Sequence, residues 1–207
     1  MAPTLLKKMS QAFRELADTV NQNKDMEVKP FAKACSYITD LMRHIGPLSK
    51  FAVDDFAPRV CDLEAASRSF RSLRSMMCGN IEQNNVRSPG SHTRNLLMVK
   101  RVIELVNILF QQIVATNYDD KGDNSLASQG LAAYLTVFSQ YHGTGLKATV
   151  EFFKPHIPSK AQLLVKLEEI DEASCVAQMR IIAEAATRIT QHIDNLFITR
   201  DLGLDWS

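Results

Sequence analysis

Apolar side chains return every three or four residues along most of the chain, a spacing typical of helices that bury one face. The first run ends at the polar stretch NQNKD and comprises Leu6, Met9, Phe13, Leu16, Ala17 and Val20. Pro30 stands where a second helix opens, and Gly46 with Pro47 ends it. No segment alternates apolar and polar residues for long enough to indicate a strand.

The middle of the chain predicts two further helices. The piece LSKFAVDDF leads to Pro58, which is placed to open a third helix whose end is marked by Gly79. The next helix follows Ser91, a predicted N-cap, and runs through LLMVKRVIELVNILFQQIVAT as the longest of the chain. It is apolar on nearly all sides, so most of its circumference should be buried. Its only charged cluster is Lys100, Arg101 and Glu104.

The second half of the chain continues the helical pattern. After the loop NYDDKGDNS comes the helix SLASQGLAAYLTVFSQ, and a short helix follows the segment YHGTG. Beyond the break KPHIPS two more helices are predicted, SKAQLLVKLEEID and SCVAQMRIIAEAATRITQHIDNLF. The sequence therefore predicts an all-α fold of roughly seven or eight helices, in a single domain over residues 1–207.

Charge and cysteine content narrow the possible partners. A net charge of +1 offers no general attraction to nucleic acid, so no nucleic-acid partner is expected. Lys7 and Lys8 interrupt the start before a signal-like apolar run can form, and no stretch reaches the roughly 18 apolar residues of a membrane span. The cysteines show no metal-like or CxxC spacing, which indicates reduced thiols and a cytosolic protein; they are Cys35, Cys61, Cys78 and Cys175.

The usual catalytic signatures are missing from the sequence. It contains no phosphate-binding loop, no HExxH zinc motif and no GxSxG nucleophile motif. The five histidines share no metal-ligand spacing. We therefore expect a protein that is not an enzyme and that uses no cofactor or metal.

Two polar residues stand out at the borders of apolar helices. Arg94 lies in the first turns of the helix after Ser91, where its guanidinium either reaches water or serves a buried anion, because an unpaired buried guanidinium is very costly. His142 lies in YHGTG, where the following glycines let a ligand or backbone approach closely.

The motif GSHTRNLL followed by VKR, the long apolar helix, the later HG and the ending DNLF…LGLDW resemble the glycolipid transfer protein superfamily. The likeness is greatest to its plant accelerated-cell-death branch, which carries ceramide-1-phosphate, and it extends over essentially the whole chain. The resemblance implies a two-layer helical sandwich that encloses the lipid chains in an apolar pocket. It also implies a polar centre at the surface that holds the head group and the amide.

The resemblance assigns roles to individual positions of that centre. Arg94 matches the arginine that binds the phosphate, and His142 matches the histidine that hydrogen-bonds the lipid amide. Cys61 falls at the position of the family's aspartate. Asp62, one residue later and about 100° away around the helix, is a candidate to replace that aspartate if the register of the helix is shifted. Ala65 falls at a polar or basic position of the family, and Met98 at a position that is arginine or tryptophan in its members.

These residues leave two functions open. The retained Arg94, His142 and apolar pattern favour a cytosolic protein that binds a sphingolipid, most similar to ceramide-1-phosphate, and moves it between membranes through transient contact with their surface. The departures at Cys61, Ala65 and Met98 favour a lipid sensor or scaffold of the same fold, defective in transfer and acting through protein partners. Transfer is the first reading, because a pure scaffold has no need of both retained polar residues.

Overall fold

The computed structural model describes residues 2–22, 24–46, 48–141 and 154–206. In these ranges the chain forms eight α-helices and no strand, which confirms the all-α fold predicted from the sequence. The helices, numbered along the chain, are α1 (Leu5–Asn21), α2 (Val28–His44), α3 (Leu48–Ala66), α4 (Leu73–Glu82), α5 (His92–Ala115), α6 (Leu126–Phe138), α7 (Lys160–Lys166) and α8 (Glu172–Ile198). None of these eight combines the length and the apolarity that a membrane span requires. The short helix predicted after YHGTG lies outside the described residues.

Side-chain caps fix where most of the helices begin. Each capping oxygen accepts a hydrogen bond from the backbone N–H three residues later, which satisfies one of the free donors at a helix start. The capping residues are Thr4, Ser72, Ser91, Ser125, Ser159 and Asp171. The sequence predicted Ser91 in this role.

The helix that Ser91 caps was also predicted to be the longest, and this prediction was wrong. Helix α5 has 24 residues, whereas α8 has 27.

The third predicted helix is two helices in the structure. Helix α3 begins at Leu48 rather than at Pro58, and Gly79 lies inside the separate helix α4. Pro58 costs α3 one backbone hydrogen bond, but α3 packs against α2 and α5 on both sides, and this packing keeps it helical.

The break between α3 and α4 is held by the connection between α1 and α2. Val28 N donates to Arg71 O at 2.9 Å, and Leu73 N donates to Met26 O at 2.9 Å. The backbone N–H groups of Val28 and Leu73 are therefore bonded to a distant segment of the chain instead of within a helix. Such a long-range pairing leaves no trace in the apolar periodicity, which is why the sequence predicted one continuous helix.

The helices close around a common interior. Helix α5 packs against α8, α8 against α1, α1 against α2, α2 against α3, and α3 returns to α5. Helices α4 and α6 also pack on α5, so α5 has neighbours on nearly every side, as its sequence predicted. Buried side chains from these helices form one continuous apolar core, whose fully buried phenylalanines are Phe13, Phe31, Phe56, Phe110 and Phe197.

Lys100 and Arg101 of the charged cluster are buried together with most of α5, and Glu104 is partly exposed. Lys100 Nζ lies 2.6 Å from Glu104 Oε1 and 2.7 Å from Asp194 Oδ1, and the Lys100 side chain is only 7% exposed. This ion triad, whose cation is buried, joins α5 to α8. The ammonium can exist in the interior because it has two carboxylate partners, which offset the loss of its hydration.

Arg101 is also buried and joins α5 to two other parts of the chain. Its guanidinium stacks 3.5 Å from the ring centroid of Tyr141 and donates to the carbonyls of Leu204, at 2.9 Å, and of Trp206. Burial lowers the pKa of Arg101 from its ordinary value. The residues after α8 and the ring of Tyr141 are thereby both held against α5.

Candidate functional site

The first turn of α5 is anchored on both sides by buried polar groups. Ser91 Oγ accepts from the backbone N–H of Arg94 at 3.0 Å. On the opposite side, Asn80 Oδ1 accepts from both the backbone N–H and the hydroxyl of Thr93 at 2.9 Å. These bonds fix the direction of the helix start, and the half-buried Arg94 side chain projects from it. The positive end of the helix dipole adds to the charge of Arg94, so this end of α5 favours an anion.

A hydrogen-bonded chain of side chains links α3 to the start of α5. Asp62 accepts from Asn95 Nδ2 at 2.7 Å, and one of its oxygens lies 2.9 Å from His92 Nδ1. Arg59 donates to Asn95 Oδ1 at 3.3 Å and to the carboxylate of Asp55 through two nitrogens, at 2.7 and 3.2 Å. We call these five residues the α3–α5 polar network: Asp55, Arg59, Asp62, His92 and Asn95.

Helix geometry explains why α3 contributes to this network. Asp55, Arg59 and Asp62 are separated by four and three residues, so they lie on one face of α3. Residues Asp55 and Arg59 were missed by the sequence reasoning, because Pro58 was taken as the start of the helix and Asp55 was left outside it. The signal that could have found them is the Asp-x-x-x-Arg spacing, which places an acid and a base one turn apart on a helix.

The structure places the predicted site residues of α3 on different faces. Asp62 is half-buried and engaged with α5, whereas Cys61 and Ala65 are exposed and belong to no part of the network. Cys61 comes one residue before Asp62 and is therefore about 100° away from it around α3, whereas Ala65 lies one turn after Asp62 at an exposed position.

Met98 lies one turn after Arg94 on the same face of α5. It is half-buried, and its sulfur is 3.5 Å from a guanidinium nitrogen of Arg101. Its side chain therefore places a thioether, which is a weak acceptor and carries no charge, against the guanidinium of Arg101. His142 lies outside the described residues, directly after the anchored Tyr141.

The chemistry available at this site is recognition of a polar group. The guanidinium of Arg59 contacts Asn95 at the start of α5 and holds the carboxylate of Asp55, and Arg94 lies in the same first turn of α5. These groups can donate to phosphate oxygens and accept from amide or hydroxyl hydrogens. The site borders an interior built from apolar side chains, so a ligand with a polar head and apolar chains matches both parts.

This combination of an all-helical fold, an apolar interior and a polar surface centre defines a class of lipid carriers. The family model for the glycolipid transfer protein matches residues 26–169. The chain therefore belongs to the glycolipid transfer protein family, and this confirms the resemblance noted in the sequence. The family consists of lipid transfer proteins, which confirms the expectation that the chain is not an enzyme.

Individual relatives agree with this assignment. The chain is 40% identical over 202 residues to accelerated cell death 11 of Arabidopsis thaliana, covering 97% of this chain and 96% of the relative. A crystal structure of a variant of that Arabidopsis protein, complexed with C12 ceramide-1-phosphate, matches with a TM-score of 0.91 at 38% identity, covering 99% of this chain and 100% of the other. The mouse ceramide-1-phosphate transfer protein without ligand shares the fold, with a TM-score of 0.86 at 15% identity over 100% of both chains.

Proposed function

We propose that this protein binds a sphingolipid with a phosphate head group, of the ceramide-1-phosphate type, and moves it through the cytosol between membranes. The observation that carries the proposal is the polar centre at the start of α5, where Arg94 and the α3–α5 polar network border the apolar interior. The similarity to a plant relative crystallised with ceramide-1-phosphate supports the same head group.

The physical need for such a carrier follows from the lipid chains. Each methylene left in water costs about 0.8 kcal/mol, so a lipid with two long chains leaves a bilayer very slowly without help. The interior of this protein offers leucine, methionine and phenylalanine side chains, which can part around the chains without exposing polar atoms. Transient contact with the membrane surface is needed for uptake and release.

Within this proposal, Arg94 binds the phosphate, because a guanidinium can donate two parallel hydrogen bonds to phosphate oxygens. Asp55 and Arg59 take the acidic and basic positions that the resemblance first assigned to Cys61 and Ala65. Both pairs have the spacing of four residues, but only Asp55 and Arg59 carry the required charges, and Arg59 also donates to Asn95 of α5. The proposed role of His142 at the lipid amide is unchanged.

The test is transfer of labelled lipid between vesicles, with ceramide-1-phosphate, ceramide and a glycosylceramide compared side by side. We expect selective movement of ceramide-1-phosphate. Arg94→Gln should lower the affinity for ceramide-1-phosphate by roughly 10- to 100-fold, because a charge-assisted hydrogen bond contributes about 1.5–3 kcal/mol. Arg68→Gln, which removes the same charge from an exposed residue after α3, is the matched control and should have little effect.

The assignment on α3 is tested in the same assay. Asp55→Asn should weaken binding of ceramide-1-phosphate, and Cys61→Asp should leave it unchanged. The reverse result would show that the family's acidic position corresponds to Cys61 and not to Asp55. If the folded protein moves none of the three lipids, the proposal of transfer is wrong and the protein is a sensor or scaffold of the same fold. Met98 would then indicate that the phosphate site has been lost.

A further inference from the structure

A second concave surface of the protein is basic and shares no residue with the α3–α5 polar network. It is a groove of about 460 Å³, formed where the end of α1 and the α1–α2 connection meet the start of α4 and the last third of α8. Its volume falls within the range of about 300–1,000 Å³ common for small-molecule sites. The lining residues are Val20, Asn21, Lys24, Arg74, Arg188, Gln191, His192 and Asn195.

The charges around the groove are unbalanced. Three basic side chains, Lys24, Arg74 and Arg188, line it. The acidic residue at its edge is Asp25, which lies 3.8 Å from Arg74 Nε and 3.9 Å from His192 Nε2. Within the described part of the chain, neither Lys24 nor Arg188 has a carboxylate within 4 Å. Two cations therefore remain without an acidic partner, although the whole chain carries a net charge of only +1.

The position of these cations in a groove distinguishes them from an ordinary solvated face. They come from three different parts of the chain, and they converge on one concave space whose rim also carries the amide side chains of Asn21 and Asn195. Low-dielectric walls around a concave site focus the electrostatic potential, so several fixed cations there attract an anion more strongly than the same charges on a flat surface.

His192 at the floor of the groove also fits an anionic ligand. Its side chain is 16% exposed, and Nε2 has no hydrogen-bond partner within the described chain. Burial lowers the pKa of His192, Asp25 opposes this effect, and Arg74 adds to it. An anion placed in the groove would stabilise the protonated imidazole, which would give the ring a charge-assisted hydrogen bond to donate.

We propose that this groove is a second ligand site, which binds a compound with two or more phosphate-type negative charges. Lys24 and Arg188 supply the cations that have no carboxylate partner in the described chain, and Arg74, His192 and the amides complete the set of donors. Either a free phosphate compound or the phosphate head group of a membrane lipid has this chemistry. The site is independent of the sphingolipid site proposed at the start of α5.

The first test is calorimetric titration with inorganic pyrophosphate at low ionic strength. The titration uses the Arg94→Gln background, which removes the phosphate position proposed on α5, and there we expect saturable binding with one site per chain. Adding the double variant Lys24→Gln/Arg188→Gln to this background should weaken the binding more than tenfold. Arg180→Gln is the matched control, because Arg180 is an exposed arginine of the same helix α8 outside the groove. All of the substituted side chains are exposed or half-buried, so thermal unfolding should confirm that every variant folds.

The second test distinguishes the two sources of phosphate. Co-sedimentation with phosphatidylcholine vesicles is compared with co-sedimentation with vesicles that also contain phosphatidic acid. A loss of phosphatidic-acid binding in the double variant, with Arg180→Gln unaffected, identifies a lipid head group as the ligand. If only pyrophosphate binding is lost, the ligand is a free phosphate compound. Absence of saturable pyrophosphate binding, or equal weakening by Arg180→Gln, overturns the proposal.

Discussion

Replacing Lys100 with methionine tests how much the ion triad contributes to stability. Methionine keeps most of the side-chain volume but removes the ammonium that lies between Glu104 and Asp194. The two carboxylates are then left close together without their shared partner. Removing one member of a fully buried ion pair costs about 3–5 kcal/mol.

The structure sets the expected cost below that upper range. The side chains of Glu104 and Asp194 are 31% and 26% exposed, so both carboxylates can regain part of their hydration. We therefore expect Lys100→Met to lower the free energy of unfolding by about 2–3 kcal/mol. For a domain of this size that loss corresponds to a fall in Tm of about 4–12 °C.

Urea and thermal unfolding measure this loss, with Lys8→Met as the control that removes the same charge from an exposed position of α1. Neutralising all three members together, with Glu104→Gln and Asp194→Asn added, should restore part of the stability. If Lys100→Met is no less stable than Lys8→Met, the triad contributes nothing and the reasoning is refuted.

Two further predictions concern packing and pH. In Gly79→Ala the new Cβ would lie 2.7 Å from the ring of Phe70, so we expect urea unfolding to show a free energy of unfolding lower by about 1–3 kcal/mol. In Gly130→Ala, in α6, the new Cβ meets nothing within 4 Å. This second variant should instead be more stable by about 0.5–1 kcal/mol. Equal effects of the two substitutions would contradict this packing argument. Because burial lowers the pKa of His192 below its ordinary value of 6.5, the unfolded chain takes up this proton first as the pH falls, and stability should decrease below about pH 6.5. His192→Gln should make the decrease smaller, and an unchanged pH profile of the unfolding free energy would show that this group does not contribute.

The sequence predicted the framework of the fold and part of the site for identifiable physical reasons. Helices such as α1 and α5 could be predicted because apolar spacing and N-capping are local properties, as Ser91 illustrates. Arg94 was found because it lies in a specific motif at such a cap. The boundary between α3 and α4 was not predicted, because it depends on the backbone bonds of Val28 and Leu73 to partners more than 40 positions away.

The missed part of the site has the same origin. Asp55 and Arg59 became visible only when α3 was seen to begin before Pro58 and to turn their shared face toward Asn95. The burial of Lys100 was likewise unpredictable, because one of its two carboxylate partners, Asp194, comes from the distant helix α8. A charge on an apolar helix indicates that a partner is needed, but the sequence does not say which residue provides it.

The placement of Arg101 has a consequence for how this sequence can change during evolution. One planar cation both stacks on Tyr141, the residue before His142, and donates to carbonyls of the segment after α8. A lysine has a single compact charge and no flat face, so it could serve one of these segments but not both. The exchange of arginine for lysine, often mild at a surface, would here release either Tyr141 or the segment after α8. Because the acceptors of Arg101 after α8 are backbone carbonyls, substitutions of Leu204 or Trp206 leave these bonds possible, and position 101 is the one that has to stay arginine.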